Sequence, residues 1–488
     1  MKKNNRVKHQ NQFFVCDSTF QPEPPTGFSH AEFTDELDIY HSEMLPVQRA
    51  SEGGNELAVI GDAVIPNGPT VRKWIQDTAN KSLHEVLRRS QALTGRYVLL
   101  YSDGDSATVV PDALAHKSVY YHTDSRLVTT SLKLLFDSVD VDQQKHSDTV
   151  AFMNSSQFKN NENAFIGDKT LFQDVRCVLP NHVLDMDAME PSRRPLFAPD
   201  HDRTPAEYIA DSISASMQSF NDKFHLLTPI TAGQDSRTIL ACSKDIVRDI
   251  TWYTFSDWSS GEHPDVKIPK RIAAEQDFDY SIHHPRDLED DFRNALSEYL
   301  CWTRNLPKTK HVQFFYNNYD VEKHVYVTGN GPIYKRNYES PENGANMVEH
   351  CCEMLQYPGN EYVEREIEEW LPGATEYAND NDVSLMNLLY WEQRMGRWGA
   401  LAPREKDIAI RGVSPFSNYN LLLTALSVDS SRLSAPDHDL IRSVIETKWP
   451  ELEKYTVNPS KNPLKAKIAS SAPYPVERFL RYVNARMN

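Results

Sequence analysis

The chain has 488 residues, of which 25% are charged and 40% hydrophobic, and its formal charge is −17. That length exceeds one compact core, so two or more domains are expected. An acidic balance with no dense Lys/Arg run argues against nucleic acid as the main partner. No apolar run reaches the length that crosses a bilayer, and the basic start Met1-Lys2-Lys3-Asn4-Asn5-Arg6 is followed by polar residues up to Phe13, so no membrane association is expected. Six scattered cysteines without C-x-x-C spacing predict neither a zinc ribbon nor a disulfide framework, and a cytoplasmic, reduced protein is the expectation.

Short β-like runs fill the first two hundred residues: Leu57–Gly61, Arg96–Tyr101, Ser118–His122 and Val183–Met186, with Gly-Asp turns between several of them. One helical stretch, Val71–Ser90, interrupts them, which together predicts an α+β first domain over residues 1–200. A proline-rich boundary at Pro191–Arg203 precedes a helix start in which Thr204 is the N-cap, Pro205 the first helical residue and Glu207 the partner in a capping box. Ile209, Ile213, Met217 and Phe220 form the apolar stripe of that helix.

Beyond it the spacing predicts strand 224–230, helix 236–243, strand 250–255, helix 264–275 and strand 279–284. Such alternation means a parallel sheet with right-handed crossovers, in which ligands bind beyond the carboxyl ends of the strands. The turn Thr231-Ala232-Gly233-Gln234-Asp235-Ser236-Arg237 lies at one such end. Small residues followed by an acid and a hydroxyl at a helix start suit a phosphate cradle, in which amide N–H groups and the helix dipole face the anion. Asp235 is placed to hold a divalent cation there and Ser236 to donate to a phosphate oxygen, although the spacing is not that of a P-loop. Thr254 and Ser256, at the end of the next strand, are candidates to recognise a base; Asp265 reads as a helix cap. A second Gly-rich turn, Gly329-Asn330-Gly331, follows a strand ending at Val327–Thr328. The remainder reads as mostly helical. The acidic stretch Pro341–Asp380 is expected on the surface, Arg394 and Arg397 are expected on one helix face at i, i+3, and Ser414-Pro415-Phe416-Ser417-Asn418 is expected to open a helix.

Taken in order, these segments resemble the asparagine synthetase-like family, whose pyrophosphatase loop runs Ser-Gly-Gly-x-Asp-Ser. Val59-Ile60-Gly61-Asp62, Gly95-Arg96-Tyr97 to Tyr120-Tyr121-His122, Asp168-Lys169-Thr170-Leu171-Phe172 and Val178-Leu179-Pro180-Asn181-His182 supply collinear landmarks upstream of that loop. The resemblance implies an Ntn-type amidotransferase-like sandwich over 1–200, followed over 201–488 by an α/β ATP pyrophosphatase domain with helical additions. It also implies ATP and Mg²⁺ as cofactors, Asp235 as metal ligand, and a carboxylate and an amine, small or peptidic, as substrates joined through adenylation.

Two departures accompany it. The family's glutaminase needs an N-terminal cysteine, whereas residue 2 here is Lys2 and the nearest cysteine, Cys16, is internal. Acids expected in the second Gly-rich turn are replaced by Asn330 and Ile333, and Asn cannot serve as a base. Glu262 or Glu275 is the replacement acid to consider, and Lys461 the candidate for the family's charge-stabilising lysine, with Lys465 and Lys467 close by. The reading is an ATP-dependent amide ligase without glutaminase activity. The alternative is a non-catalytic nucleotide- or partner-binding protein on the same fold, and a tRNA-modifying pyrophosphatase is disfavoured by the charge.

Overall fold

In the first half, side chains that alternate between two buried environments build a pair of antiparallel sheets. The computed structural model describes residues 8–256, 263–302, 308–331, 338–341, 344–433 and 438–459. Its first strands are β1 (Phe13–Asp17), β2 (Phe28–Glu32), β3 (Leu37–Ser42), β4 (Val47–Glu52), β5 (Asn55–Val64) and β6 (Thr94–Ser102). They continue as β7 (Ala107–Pro111), β8 (Val119–His122), β9 (Leu127–Thr129), β10 (Val175–Val178), β11 (His182–Asp185) and β12 (Glu190–Arg193). One sheet runs β10-β8-β9-β1-β3-β2 and the other β12-β11-β7-β6-β5-β4.

Successive residues of a strand point to opposite faces, and here both faces are covered. Phe13 and Val15 of β1 meet Ala58, Ile60, Val98 and Leu100 of the opposite sheet. Leu57, Val59, Tyr97 and Leu99 point outward onto Val71, Trp74, Ile75, Val86 and Leu87. Phe14 and Cys16 face Leu132, Leu134 and Leu135 of the helix Leu132–Ser138. The result is four layers, helix–sheet–sheet–helix. The helical stretch expected at 71–90 is two helices, Val71–Thr78 and Leu83–Ser90, the second starting behind Ser82. Where β5 and β6 approach most closely the backbone allows no side chain. Gly61 and Gly95 have φ of +119° and +137°, and a Cβ on either would sit 2.4 or 2.2 Å from a carbonyl oxygen of the facing strand.

The expected capping box is present. Thr204 Oγ1 accepts from the Glu207 amide, and the Glu207 carboxylate accepts from the Thr204 amide at 3.1 Å, at the head of the helix Pro205–Asn221. Ile209, Ile213, Met217 and Phe220 of that helix are fully buried. They pack on a five-stranded, all-parallel sheet of β13 (His225–Pro229), β14 (Thr251–Phe255), β15 (Tyr280–His283), β16 (His324–Val327) and β17 (Arg411–Val413). Leu226 of β13 faces this helix, while Leu227 faces Phe292, Leu296 and Phe315 on the other side, so both sheet faces are covered. The acidic stretch expected on the surface is corrected in part. The helix Glu361–Asp380 buries Tyr362, Val363, Ile367, Trp370, Ala374 and Ala378, an apolar stripe at helical spacing that its acidic composition masks.

One apolar cluster passes from β1, β8 and β10 through the helices to β13 and β16, so the two halves share a core. A polar cluster lies beside it. Arg96 forms a bidentate pair with Asp407, both bonds 2.9 Å, and donates to the His116 carbonyl. Asp112 accepts from the amides of His116 and Lys117, and Arg411 pairs with Asp62 at 3.4 Å. The polar segment before β1 is buried in this cluster. Gln10 and Asn11 donate to the Asp407 carbonyl, Tyr299 donates to the Gln10 carbonyl at 2.8 Å and Lys117 to the Asn11 carbonyl, with His9 and Asn11 at φ of 61° and 62°.

The His116 imidazole has no hydrogen-bond partner on either nitrogen, and burial, reinforced by Arg96, pushes its pKa down to about 3. The unfolded chain takes up this proton near pH 6.5 while the folded chain does not. Stability is therefore fully present above pH 6.5 and declines as pH falls from there toward 3. The urea midpoint of the wild type is expected to drop more steeply over that range than that of His116→Leu; parallel curves would show that His116 is not the titrating group.

Candidate functional site

The parallel sheet runs in the order β15-β14-β13-β16-β17. From β13 the chain first winds outward through β14 to β15, then returns to the other side of β13 for β16 and β17. The winding direction reverses between β13 and β16, and at such a reversal the connections beyond the carboxyl ends diverge and leave a crevice. The two turns singled out in the sequence are the ones that flank it: Thr231–Ser236 follows β13 and Thr328–Gly331 follows β16. They are close neighbours, since a Cβ on Gly329 would lie 3.5 Å from Ile239 Cδ1 of the helix Gln234–Cys242.

The first turn is internally tied. Ser236 Oγ accepts from the Thr231 amide at 3.0 Å, and Thr231 Oγ1 accepts from the Gly233 amide at 3.1 Å. The Ala232 amide donates 2.9 Å to Asp265 Oδ1, and the Ala232 carbonyl accepts from the Asn458 amide at 3.0 Å. Gly233 is the N-cap of the helix Gln234–Cys242 and has no side chain to accept from its first turn. The N-cap therefore supplies no side-chain acceptor to the first turn, and the helix dipole lies behind it. Gln234 and Asp235 are half-buried. Asp235, in the first turn, acts electrostatically on the buried phenol of Tyr390, whose pKa is raised by burial, by Tyr338 and by Asp235 itself.

Arg394 also acts on Tyr390, with its guanidinium 4.0 Å from the Trp398 ring centroid. Arg394 and Asp235 therefore share one neighbourhood. Arg397 does not join them, which corrects the expectation of two arginines on one face. Its guanidinium donates to Cys177 Sγ at 2.6 Å and to the Lys169 carbonyl at 2.8 Å, between the halves. The cause is the form of the helix: Leu389–Gly399 is π-helical, and its wider turn spreads i, i+3 positions that an α-helix would hold together. The segment presses close to the first half at Gly396, where a Cβ would meet Pro180 Cδ at 2.3 Å.

Three further candidates are committed to structure. Arg237 is buried and donates to the carbonyls of Tyr455 and Thr456 at 2.6 and 3.1 Å, fastening the chain end near Asn458 to the turn. The Thr254 hydroxyl donates to the Ile230 carbonyl between β14 and β13. Glu275, the possible replacement acid, is bound by Lys454, Arg271 and Tyr455, which hold its carboxyl down to about 2, so it is an ion-pair partner and not a proton acceptor near neutral pH. Ser256 follows β14, its amide donating to the His283 carbonyl at 2.8 Å. In the second turn the Asn330 amide donates to Thr328 Oγ1 at 3.2 Å, and Gly331, at φ +114°, packs where a Cβ would strike Leu114 of the first half. Glu262, Ile333, Lys461, Lys465 and Lys467 lie outside the described residues.

The site residues missed in the sequence are Asp265, Asn458 and Tyr390. Asp265 was legible only as a cap; the helix Pro264–Gln276 is capped by His263, which frees the Asp265 carboxylate for the turn. Asn458 and Tyr390 come from distant segments and carry no local signal.

The turn suits a polyphosphate on two counts, its uncapped helix start and the glycines in both flanking turns. Among the described residues no group of three histidines, cysteines or acids converges on a metal position. Magnesium commonly takes only one or two protein carboxylates and completes its shell with substrate phosphates and water, which a position such as Asp235 satisfies. Cys16 lies inside β1, fully buried, and burial pushes its thiol up to about 12, so it remains a neutral thiol at physiological pH. None of the six cysteines forms a disulfide, and no described helix is long and apolar enough to cross a membrane. No protein-family model matches the chain, and no curated protein matches it.

Proposed function

We propose that this protein is an ATP- and Mg²⁺-dependent amide-forming ligase of the asparagine synthetase-like type, without glutaminase activity. The observation that carries the reading is the reversal of winding between β13 and β16, flanked by the Thr231–Ser236 and Thr328–Gly331 turns. In this reading residues 201–488 are an N-type ATP pyrophosphatase domain. Backbone donors of Gln234 to Ser236 hold phosphate oxygens, Asp235 holds Mg²⁺, and Arg394 adds positive charge beside them. ATP would supply the adenylyl group that activates a carboxylate, releasing pyrophosphate, and an amine or ammonia would complete the amide. Residues 1–200 are then an Ntn-type, class II amidotransferase-like sandwich that has lost its nucleophile. The burial of Cys16 within β1 supports that loss, and the four-layer packing supports the sandwich.

One observation favours the second reading, a non-catalytic nucleotide- or partner-binding protein. The amides of Thr231, Ala232 and Gly233 are already satisfied by protein side chains, and Asn330 stands where an acid is expected. Product analysis separates the two. The purified chain with Mg²⁺-ATP, ammonium and pooled carboxylate and amine metabolites is expected to yield AMP and pyrophosphate. Nucleotide binding without AMP under any pool would leave the nucleotide-binding reading, and absence of nucleotide binding would overturn the ligase reading and leave only a partner-binding protein.

A further inference from the structure

The turn after β13 commits three consecutive amides to protein acceptors, and one of the three differs from the others. The Thr231 N–H goes to Ser236 Oγ and the Gly233 N–H to Thr231 Oγ1, both within the turn. The Ala232 N–H instead donates to Asp265 Oδ1 at 2.9 Å, on the helix Pro264–Gln276 that follows the neighbouring strand β14. The Asp265 carboxylate is available for this because His263 caps that helix, its Nδ1 accepting from the Asp265 amide at 3.3 Å.

That bond fixes a peptide which the turn does not fix by itself. Ala232 is buried, so its N–H and C=O both need partners inside the protein. Asp265 takes the N–H, while the Asn458 amide at 3.0 Å and Arg237 Nη2 at 3.5 Å take the C=O. Held from both sides, the chain passes through Gly233 in extended conformation, φ −77° and ψ 162°, into the helix Gln234–Cys242. The direction of the first-turn N–H groups therefore depends on the Ala232 peptide, and a helix start binds an anion through N–H groups aimed at it. A carboxylate is a stronger acceptor for this task than a neutral oxygen. One of its oxygens is engaged by the turn, and the other lies 3.7 Å from His263 Nδ1.

We propose that Asp265 is the positioning residue of the nucleotide site: by accepting the Ala232 N–H it aims the Gln234 to Ser236 amides at the phosphates, and it binds neither metal nor phosphate itself. This rests on the ATP-binding reading given above and divides the work between two acids at the heads of the helices after adjacent strands. Asp235 serves Mg²⁺ and Asp265 serves the turn.

The test is Mg²⁺-ATP binding to the full chain by titration calorimetry, with hydrogen exchange followed across the turn. Asp265→Ala is expected to weaken binding by about tenfold or more, and to speed exchange in the Thr231–Ser236 turn but not in β14. Asp265→Asn keeps an acceptor oxygen and loses the charge. It is expected to restore binding to within about threefold of wild type, with an unchanged Mg²⁺ dependence. An alanine variant that binds within a few-fold of wild type would overturn the proposal. So would an asparagine variant as weak as alanine that raised Mg²⁺ rescues, which would make Asp265 a metal ligand. Faster exchange in β14 as well as in the turn would reduce Asp265 to a structural residue and overturn it too. In each of those cases the wild type binds nucleotide. A wild type that binds none would remove the ligase reading itself, and the proposal with it.

Discussion

Replacing Asp407 by Asn is expected to destabilise the protein by about 3–5 kcal/mol, the range for removing one partner of a buried ion pair. Both side chains of the Arg96–Asp407 pair are almost fully buried, and the geometry is bidentate. Arg96 cannot shed its charge at any accessible pH, so the variant must keep a guanidinium out of water with one acceptor carboxylate fewer. The surroundings compensate only in part. Asp112 and Asp62 also act on Arg96, but Asp112 is engaged by Ser417 and by three backbone amides, and Asp62 by Arg411. The Asp407 backbone additionally anchors Gln10 and Asn11, so loosening this position is expected to free the segment before β1. Urea denaturation measures the loss. The double variant Arg96→Met/Asp407→Leu removes both charges and is expected to recover most of it. A cost below about 1 kcal/mol for Asp407→Asn, or a double variant as unstable as the two single losses added, would show that the pair is not the organising contact between the halves.

The elements that were legible in the sequence are those whose signals are local. The order of β13, β14 and β15 with their intervening helices follows from apolar runs of strand length separated by helical periods, and Thr204, Pro205 and Glu207 mark a helix start whose chemistry is complete within four residues. The turns at Thr231–Ser236 and Gly329–Gly331 were legible as turns for the same reason. Strand order was not. That β16 pairs with β13 rather than with β15 is a long-range fact, and it is this pairing that turns two separate turns into the walls of one crevice. β17, three residues long, carries no period at all, and the helix expected to open at Ser414 begins at Tyr419 behind Asn418.

The site residues divide in the same way. Gly233 and Asp235 could be read because a helix N-terminus declares itself locally. Arg237, Thr254 and Arg397 were candidates by nearness in sequence, and each is drawn off by a partner that sequence does not reveal: the carbonyls of Tyr455 and Thr456, the Ile230 carbonyl, and Cys177 with the Lys169 carbonyl. Buried polar groups are obliged to find partners, so a polar residue near a site is available to a ligand only if the fold has not already engaged it. His9 to Gln12 make the converse point. They are polar throughout, yet they are buried because the other half of the chain supplies acceptors and donors for them.

Asp235→Ala is expected to lower AMP and pyrophosphate formation by at least a hundredfold while leaving the fold nearly intact. The asymmetry follows from where Asp235 sits. It is half-buried in the first helical turn after β13, where an acid interacting with the helix dipole contributes about 0.3–1 kcal/mol to stability. Loss of one preorganised electrostatic contact to charge that develops during reaction costs about 2.7–4 kcal/mol, a factor of 10²–10³ in rate. The two scales differ enough to separate a site residue from a structural one: unfolding midpoints of variant and wild type should nearly coincide while product formation collapses. Asp235→Asn, which keeps the shape and an acceptor oxygen but not the charge, is expected to behave like Ala if the carboxylate holds Mg²⁺. Raised Mg²⁺ should restore part of the Asn variant's rate and little of the alanine variant's. An Asp235→Ala protein that retains product formation within threefold of wild type would remove the metal role from this carboxylate and shift attention to Asp265, whose carboxylate already reaches the same turn.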